Sequence, residues 1–189
     1  MQAFRNFAAR LVGECNGSAL LELAISLPLL TVFIVGIFDF SGAFNQKQKL
    51  ESAAQAGAIL AAAEPTSDIE TDNTDPQSLH PVVTAVFNSL VAAGVVPLGT
   101  CTLSTFPAPT QSGLSWTYNI TGCPDTLSVS VNRGWVPSTS DTTLTVGTQV
   151  TVTYPYHWRF NSVIQLLFPG ANFNAPATIS ETAGVHNQM

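Results

Sequence analysis

The feature that most constrains this chain is a run of sixteen residues without charge, from Leu23 to Phe38. Glu22 precedes the run and Asp39 follows it. At 1.5 Å per residue, a helix over the run is about 24 Å long, slightly short of a hydrocarbon core of about 30 Å. The run therefore predicts a membrane-spanning helix, in which one of the two flanking carboxylates must reach water, become protonated or find a partner.

The rest of the composition fits a membrane anchor that carries an acidic exported part. Charged residues are only 10% of the 189 residues, and a membrane segment explains this deficit. From Glu51 onward nine acids accompany two arginines, so there is no basic patch for nucleic acid. Arg5 and Arg10 favour a cytoplasmic N-terminus, although Lys47 and Lys49 beyond the run weaken that bias.

The two carboxylates that flank the run have different interpretations. A carboxylate deep in a bilayer costs roughly 2.5–3.5 kcal/mol, which makes an intramembrane acid a functional candidate. Asp39 is expected near the far interface, where it reaches water or pairs with Lys47 or Lys49. Glu22 differs because it lies close to Gly17-Ser18, a possible cleavage site.

These residues carry a resemblance to a known family. Gly17 followed by Ser18, with Glu22 fifth and Pro28 eleventh after the glycine, resembles the type IV pilin signal. The block from residue 16 to 63 resembles the TadE-like pseudopilins of tight-adherence (Flp) pilus systems, with a looser echo at Ala175 to Gly184. The resemblance implies that a prepilin peptidase cuts after Gly17, that Ser18 becomes the N-terminus, and that other pilins are partners.

Glu22 and Pro28 have physical roles that can be stated independently of the family. After cleavage the new α-amino group is cationic, and an acid one turn away can neutralise it on the same or a neighbouring subunit, where a low dielectric strengthens attraction. Glu22 would thus set the registry of assembly. Pro28 removes one helical hydrogen bond and predicts a kink within the span.

A second processing site also fits the sequence. Ser41-Gly42-Ala43 has the small residues that an ordinary signal peptidase requires, which would leave a soluble domain starting at Phe44. The long N-terminal region and Asp39 beside the site argue against it. N-terminal sequencing distinguishes Ser18 from Phe44.

Beyond the span, the pattern predicts two helices. The Ala-rich segment Phe44 to Ala63 continues the first helix, so we expect one helix from about Ser18 to Ala63, ended by Glu64-Pro65. Asp75-Pro76 is typical of a helix start, with Asp75 as N-cap. Apolar residues at three- and four-residue steps then predict an amphipathic helix that closes at Gly94.

The remaining sequence alternates at period two, which predicts half-buried antiparallel strands. The inward sets are Trp116, Tyr118 and Ile120; Leu127, Val129 and Val131; and Val150, Val152, Tyr154, Tyr156 and Trp158. A first strand is expected within Val95 to Phe106, and Pro155 predicts a strand end or an edge. Strand aromatics usually fill a core, although they could form a sugar-binding surface. The fold class is α+β: a long transmembrane and stalk helix, a second amphipathic helix and a small antiparallel sheet as a pilin-like head.

The cysteines and the acidic loop provide two further candidate sites. Removal of Cys15 with a leader leaves Cys101 and Cys123, which we expect to form a disulfide in an exported domain, against the alternative of two buried thiols. Thr66 to Asp75 is rich in acids, but its spacing departs from a calcium loop, and a solvated linker is favoured over a metal site.

The sequence contains no catalytic motif, and we expect no enzyme activity and no cofactor. The expected organisation is a leader (1–17), a helix that spans the membrane to about residue 40 and then forms a stalk (18–63), and an exported head (64–189). The predicted function is that of a minor pilin or pseudopilin in the bacterial inner membrane, with a periplasmic or extracellular head. The alternative is a signal-anchored envelope binding or adhesin domain that does not enter a pilus.

Overall fold

The computed structural model describes residues 2–70, 72–97, 103, 106–137, 146–160, 165, 170 and 177–187, with side chains from residue 18 onward. The chain divides into two compact units. The first comprises Met1–Gly42 and Trp158–Ala175, and the second comprises Ala43–His157 and Pro176–Met189. The described elements confirm the predicted α+β class, with a long apolar helix, a second short helix and a five-stranded antiparallel sheet.

Helix α1 extends over Gln2–Ala63 and includes Pro28. Residues 58–63 contain neither proline nor glycine, and Glu64-Pro65 follows at the position where the sequence predicts the end of the helix. The predicted continuity from Ser18 and the end at Ala63 are confirmed, whereas the helix begins at Gln2 and not near Ser18. The expected kink at Pro28 stays a prediction.

Helix α2 covers His80–Ala92 and follows a 3-10 turn at Gln77–Leu79. Its C-terminus closes as predicted at Gly94, whose φ of 68° few residues other than glycine adopt. The Val95 N–H donates to the Leu90 carbonyl and the Gly94 N–H to the Val91 carbonyl, which is a Schellman motif. The predicted N-cap at Asp75 is wrong, because α2 begins after Leu79, which makes no side-chain cap.

The sheet is an antiparallel meander with the strand order β1-β2-β3-β4-β5. The strands are β1 (Thr110–Ser112), β2 (Ser115–Ile120), β3 (Leu127–Trp135), β4 (Gly147–Tyr156) and β5 (Ala177–His186). Pro155 lies where β4 pairs with β5 alone, since the pairing with β3 ends at Thr153, so its missing N–H interrupts no ladder with β3. The predicted inward residues of β2 and β3 are all buried.

One expectation about the strands is wrong, a second falls mostly outside the described residues, and one strand was not expected. Strand β4 ends at Tyr156, so Trp158 is not in the strand. Most of the range expected to hold the first strand lies outside the described residues, its described residues are not in a strand, and the first described strand begins at Thr110. Strand β5 was not predicted, because its small and polar residues give no clear apolar alternation.

The hydrophobic core lies in the second unit, where α1 and α2 meet the sheet. Helix α1 contributes a stripe of small residues and one leucine at helical spacing, which are fully buried: Leu50, Ala53, Ala54, Ala58 and Ala61. Gly57 lies within this stripe. A Cβ atom there would come 2.6 Å from Val86 of α2 and 3.3 Å from Val150 of β4, so the glycine permits a close approach of the three elements.

Candidate functional site

Between positions 20 and 38, α1 exposes apolar side chains on every side. Eleven large apolar residues between positions 20 and 38 have exposed fractions from 46% to 75%: Leu20, Leu21, Leu23, Ile25, Leu27, Leu29, Leu30, Phe33, Ile34, Ile37 and Phe38. From Ser18 onward, α1 is long and apolar enough to cross a membrane. A helix that is apolar all round requires apolar surroundings, so this segment is a candidate membrane anchor.

The predicted processing and assembly residues all lie on α1. Gly17 and Ser18 are helical, and Ser18 and Glu22 are four residues apart, which places them on one face about 6 Å apart along the axis. The Glu22 side chain is exposed, and Pro28 is half-buried. Near the proline, the Thr31 hydroxyl donates to the Leu27 carbonyl at 2.9 Å. The helix therefore presents Glu22 beside the residue that the predicted cleavage would make the N-terminus.

Asp39 has a partner that the sequence does not indicate. Only 5% of its surface is exposed, although it was expected to reach water. Within the first unit, the backbone N–H of Phe160 donates to its Oδ2 at 2.8 Å. The two residues are 121 positions apart, so no local pattern could reveal the contact.

The cysteine pair stays a prediction. Cys123 lies in the turn between β2 and β3 and is 7% exposed. Cys101 lies outside the described residues.

Arg133 is a buried cation in the second unit that sequence analysis did not single out. Its exposed fraction is 3%. Its Nη2 donates to the Glu64 carbonyl at 2.9 Å, immediately after the end of α1, and its Nη1 donates to the Thr148 hydroxyl at 3.2 Å. Burial lowers the pKa of the Arg133 guanidinium, and the charges of Asp68 and Glu64 oppose that shift. The guanidinium thus satisfies a terminal carbonyl at the negative end of the helix.

Asp75, at the end of the acidic loop before α2, uses its carboxylate in hydrogen bonds to the protein. Asp75 Oδ1 lies 2.9 Å from His80 Nε2 and accepts a hydrogen bond from the Tyr118 hydroxyl at 3.3 Å. Burial, together with the charge of Asp75 and this hydrogen bond, raises the pKa of Tyr118. Trp116 Nε1 donates to the Asn73 carbonyl at 3.0 Å. These bonds attach the loop to strand β2.

No group of three or more histidine, cysteine or acidic side chains is placed to hold a metal ion within the part of the chain that the structure describes.

The aromatic residues considered for sugar binding differ in their burial. Trp116 and Tyr154 are buried in the core, with 0% and 4% exposure. Tyr156 and Trp158 are half-buried.

Asp68 gives a pH-dependent prediction for the head. Burial raises the pKa of its carboxyl, but hydrogen bonds to the carboxylate, among them one from the Ser78 backbone N–H at 2.9 Å, outweigh this effect and hold the pKa below the ordinary value. A depressed pKa stabilises the fold above the unfolded-state value of about 3.9, and this contribution is lost as the pH falls through the folded-state pKa. We expect Asp68→Asn to reduce the loss of unfolding free energy between pH 7 and about pH 3.

Urea unfolding followed by tryptophan fluorescence measures this effect. Asp72→Asn is the matched control, because Asp72 is an exposed acid of the same loop. An acid sensitivity that is the same in Asp68→Asn as in the unmodified chain would contradict the assigned role of Asp68.

The comparisons with known proteins agree with the geometry of the N-terminal segment. No curated protein and no solved structure is significantly similar to the chain. The family model described as TadE-like protein matches residues 17–58. The match starts at Gly17, includes the exposed apolar part of α1 and ends within its buried stripe; it does not extend to the echo expected at Ala175 to Gly184. The predicted resemblance is confirmed over this segment: residues 17–58 are TadE-like, consistent with a TadE-like, pilin-related protein.

Proposed function

We propose that this chain is a minor pilin or pseudopilin of a tight-adherence (Flp) type IV pilus. It is inserted in the bacterial inner membrane through α1, with the head in the periplasm or outside the cell. A prepilin peptidase removes residues 1–17, and the mature subunit assembles with other pilins through the N-terminal helix. Lipid surrounds the span before assembly, and nucleic acid has no part in the function.

One coincidence carries this proposal. The TadE-like match begins at the glycine where cleavage is expected, and it covers the helix that exposes apolar side chains on all sides. Between Gly17 and the charge-free run there is one acid, Glu22, and it shares a helix face with Ser18. An ordinary anchor needs the apolar run but has no use for an acid at this place. An assembly signal uses it to pair with the new α-amino group.

Processing after Gly17 gives the direct test. Expression of the full chain with a prepilin peptidase should give a membrane-bound product whose N-terminal residue is Ser18, read by N-terminal sequencing. Gly17→Val should abolish this product, because a β-branched side chain takes the place of the glycine at the scissile bond. Gly13→Val is the matched control and should be cleaved normally.

The other products identify the competing functions. A chain that begins at Phe44 would indicate an ordinary signal peptide and would contradict the proposal. A chain that keeps residues 1–17 and stays in the membrane would support the signal-anchored adhesin instead.

A further inference from the structure

The chain that follows β4 contacts α1 at the end of the apolar span. Trp158 and Phe160 belong to the same compact unit as the N-terminal part of α1. The Phe160 N–H donates to Asp39 at 2.8 Å, and the Trp158 ring meets the Phe40 ring edge to face, with centroids 5.3 Å apart. Two consecutive residues of the helix thus hold two residues that lie about 120 positions later in the sequence.

Asp39 marks the level of these contacts along the helix. It is the first charged residue after the charge-free run that begins at Leu23, so the apolar part of α1 ends there. Its carboxylate is 5% exposed and accepts a hydrogen bond from a backbone N–H. This hydrogen bond lowers the free-energy cost of placing the carboxylate beside an apolar phase. Trp158, which is held beside it, must then lie at the same depth as the end of the span.

The side chains at this level have the composition of a membrane interface. Tryptophan rings concentrate at the headgroup level, where one part of the ring is in apolar and the other in polar surroundings. Phe38 and Phe40 are 75% and 70% exposed, and Arg159, next to Trp158, is an exposed cation. Anionic headgroups attract arginine close to a membrane surface. Aromatic rings and a cation on the continuation of an apolar span fit a phospholipid headgroup region.

We propose that Phe40, Trp158 and Arg159 form a second membrane contact, which lies in the phospholipid headgroup region where the span of α1 ends. The proposal rests on the membrane insertion in the proposed function and adds a segment far from the N-terminal signal. Entry of the subunit into a filament then requires Trp158 to leave the lipid interface. The segment after β4 therefore retains the unassembled subunit at the membrane surface.

The test measures quenching of tryptophan fluorescence by brominated phospholipids. The full chain is reconstituted in vesicles whose lipids carry bromine either near the headgroup or near the end of the acyl chain. We expect stronger quenching by the shallow bromines and loss of most of that quenching in Trp158→Phe. Trp135→Phe is the matched control and should keep the quenching, since Trp135 packs over Gly147 and Gly184; Trp116 is fully buried.

The outcomes separate this inference from the proposed function. A chain that floats with the vesicles and resists alkaline extraction, yet shows no quenching that depends on Trp158, overturns the inference and leaves the insertion intact. Stronger quenching by the deep bromines also overturns it. If quenching is absent at every protein-to-lipid ratio, a second copy of the chain and not lipid covers Trp158. That result also overturns the inference. A chain that does not float overturns the proposed insertion itself.

Discussion

Replacement of Gly57 by valine is expected to destabilise the head by about 1–3 kcal/mol, the usual cost of overpacking a dense core. A Cβ atom at this position would come 2.6 Å from Val86 Cγ2 and 3.3 Å from Val150 Cγ1, and valine adds two methyl groups beyond it. Relief from the poor helix propensity of glycine returns only a few tenths of a kcal/mol. Since Val86 is itself stiff and fully buried, the clash requires α1 and α2 to move apart.

Thermal unfolding of the full chain in detergent, followed by circular dichroism, measures this effect. A cost of 2 kcal/mol corresponds to a decrease in Tm of roughly 4–8 °C for a domain of this size. Ala56→Val is the matched control, because Ala56 is the adjacent residue of the same helix and its side chain is exposed. It bears the propensity cost of valine without the clash. Equal Tm values for the two variants would show that the helices do not pack closely at Gly57.

The local sequence pattern was sufficient to predict the elements that are marked by a hydrophobic periodicity or by a helix-terminating residue. The Ala-rich segment Phe44 to Ala63 predicted the continuation of the long helix, and Gly94 predicted the end of α2. The alternation of Leu127, Val129 and Val131 predicted the buried face of β3. In each case the residues that favour the local backbone conformation are also suited to their place in the packed structure, so local propensity and tertiary packing agree.

The interpretations that failed depend on contacts between distant residues. Asp75 has the side chain of an N-cap, but Tyr118 and His80 compete for its carboxylate, and α2 begins five residues later. Trp158 continues the alternation of β4, but the strand ends before it and its ring meets Phe40. Tertiary partners decide such positions, and a single sequence contains no signal for them.

In the candidate site, the positions of Glu22 and Pro28 were predictable from the sequence, whereas the contact of Asp39 was not. Glu22 and Pro28 stand at fixed distances from Gly17, so the sequence alone places them on one helix and the family match covers them. The burial of Asp39 was not predictable, because its partner is a backbone N–H and any residue except proline could supply one.

Substitution of Glu22 by alanine is expected to leave cleavage after Gly17 intact and to abolish pilus assembly. Ser18 and Glu22 share one face of α1, so the carboxylate lies one turn from the α-amino group that cleavage would create. The cost of a charge in the apolar phase, roughly 2.5–3.5 kcal/mol, is relieved by pairing with that group on a neighbouring subunit. Loss of about 3 kcal/mol per subunit contact lowers its equilibrium constant by roughly a hundredfold.

The measurement pairs the mass of the membrane-bound subunit with a count of surface pili by electron microscopy. Glu22→Gln keeps the size and hydrogen-bonding capacity of the side chain without its charge, so we expect it to fail in assembly as alanine does if the ion pair sets the registry. Glu51→Ala removes an exposed acid of the same helix beyond the apolar run and should assemble normally. Normal pili in Glu22→Ala would refute the pairing. Normal pili in Glu22→Gln alone would assign the role to a hydrogen bond, because a neutral amide can still accept one from the α-amino group.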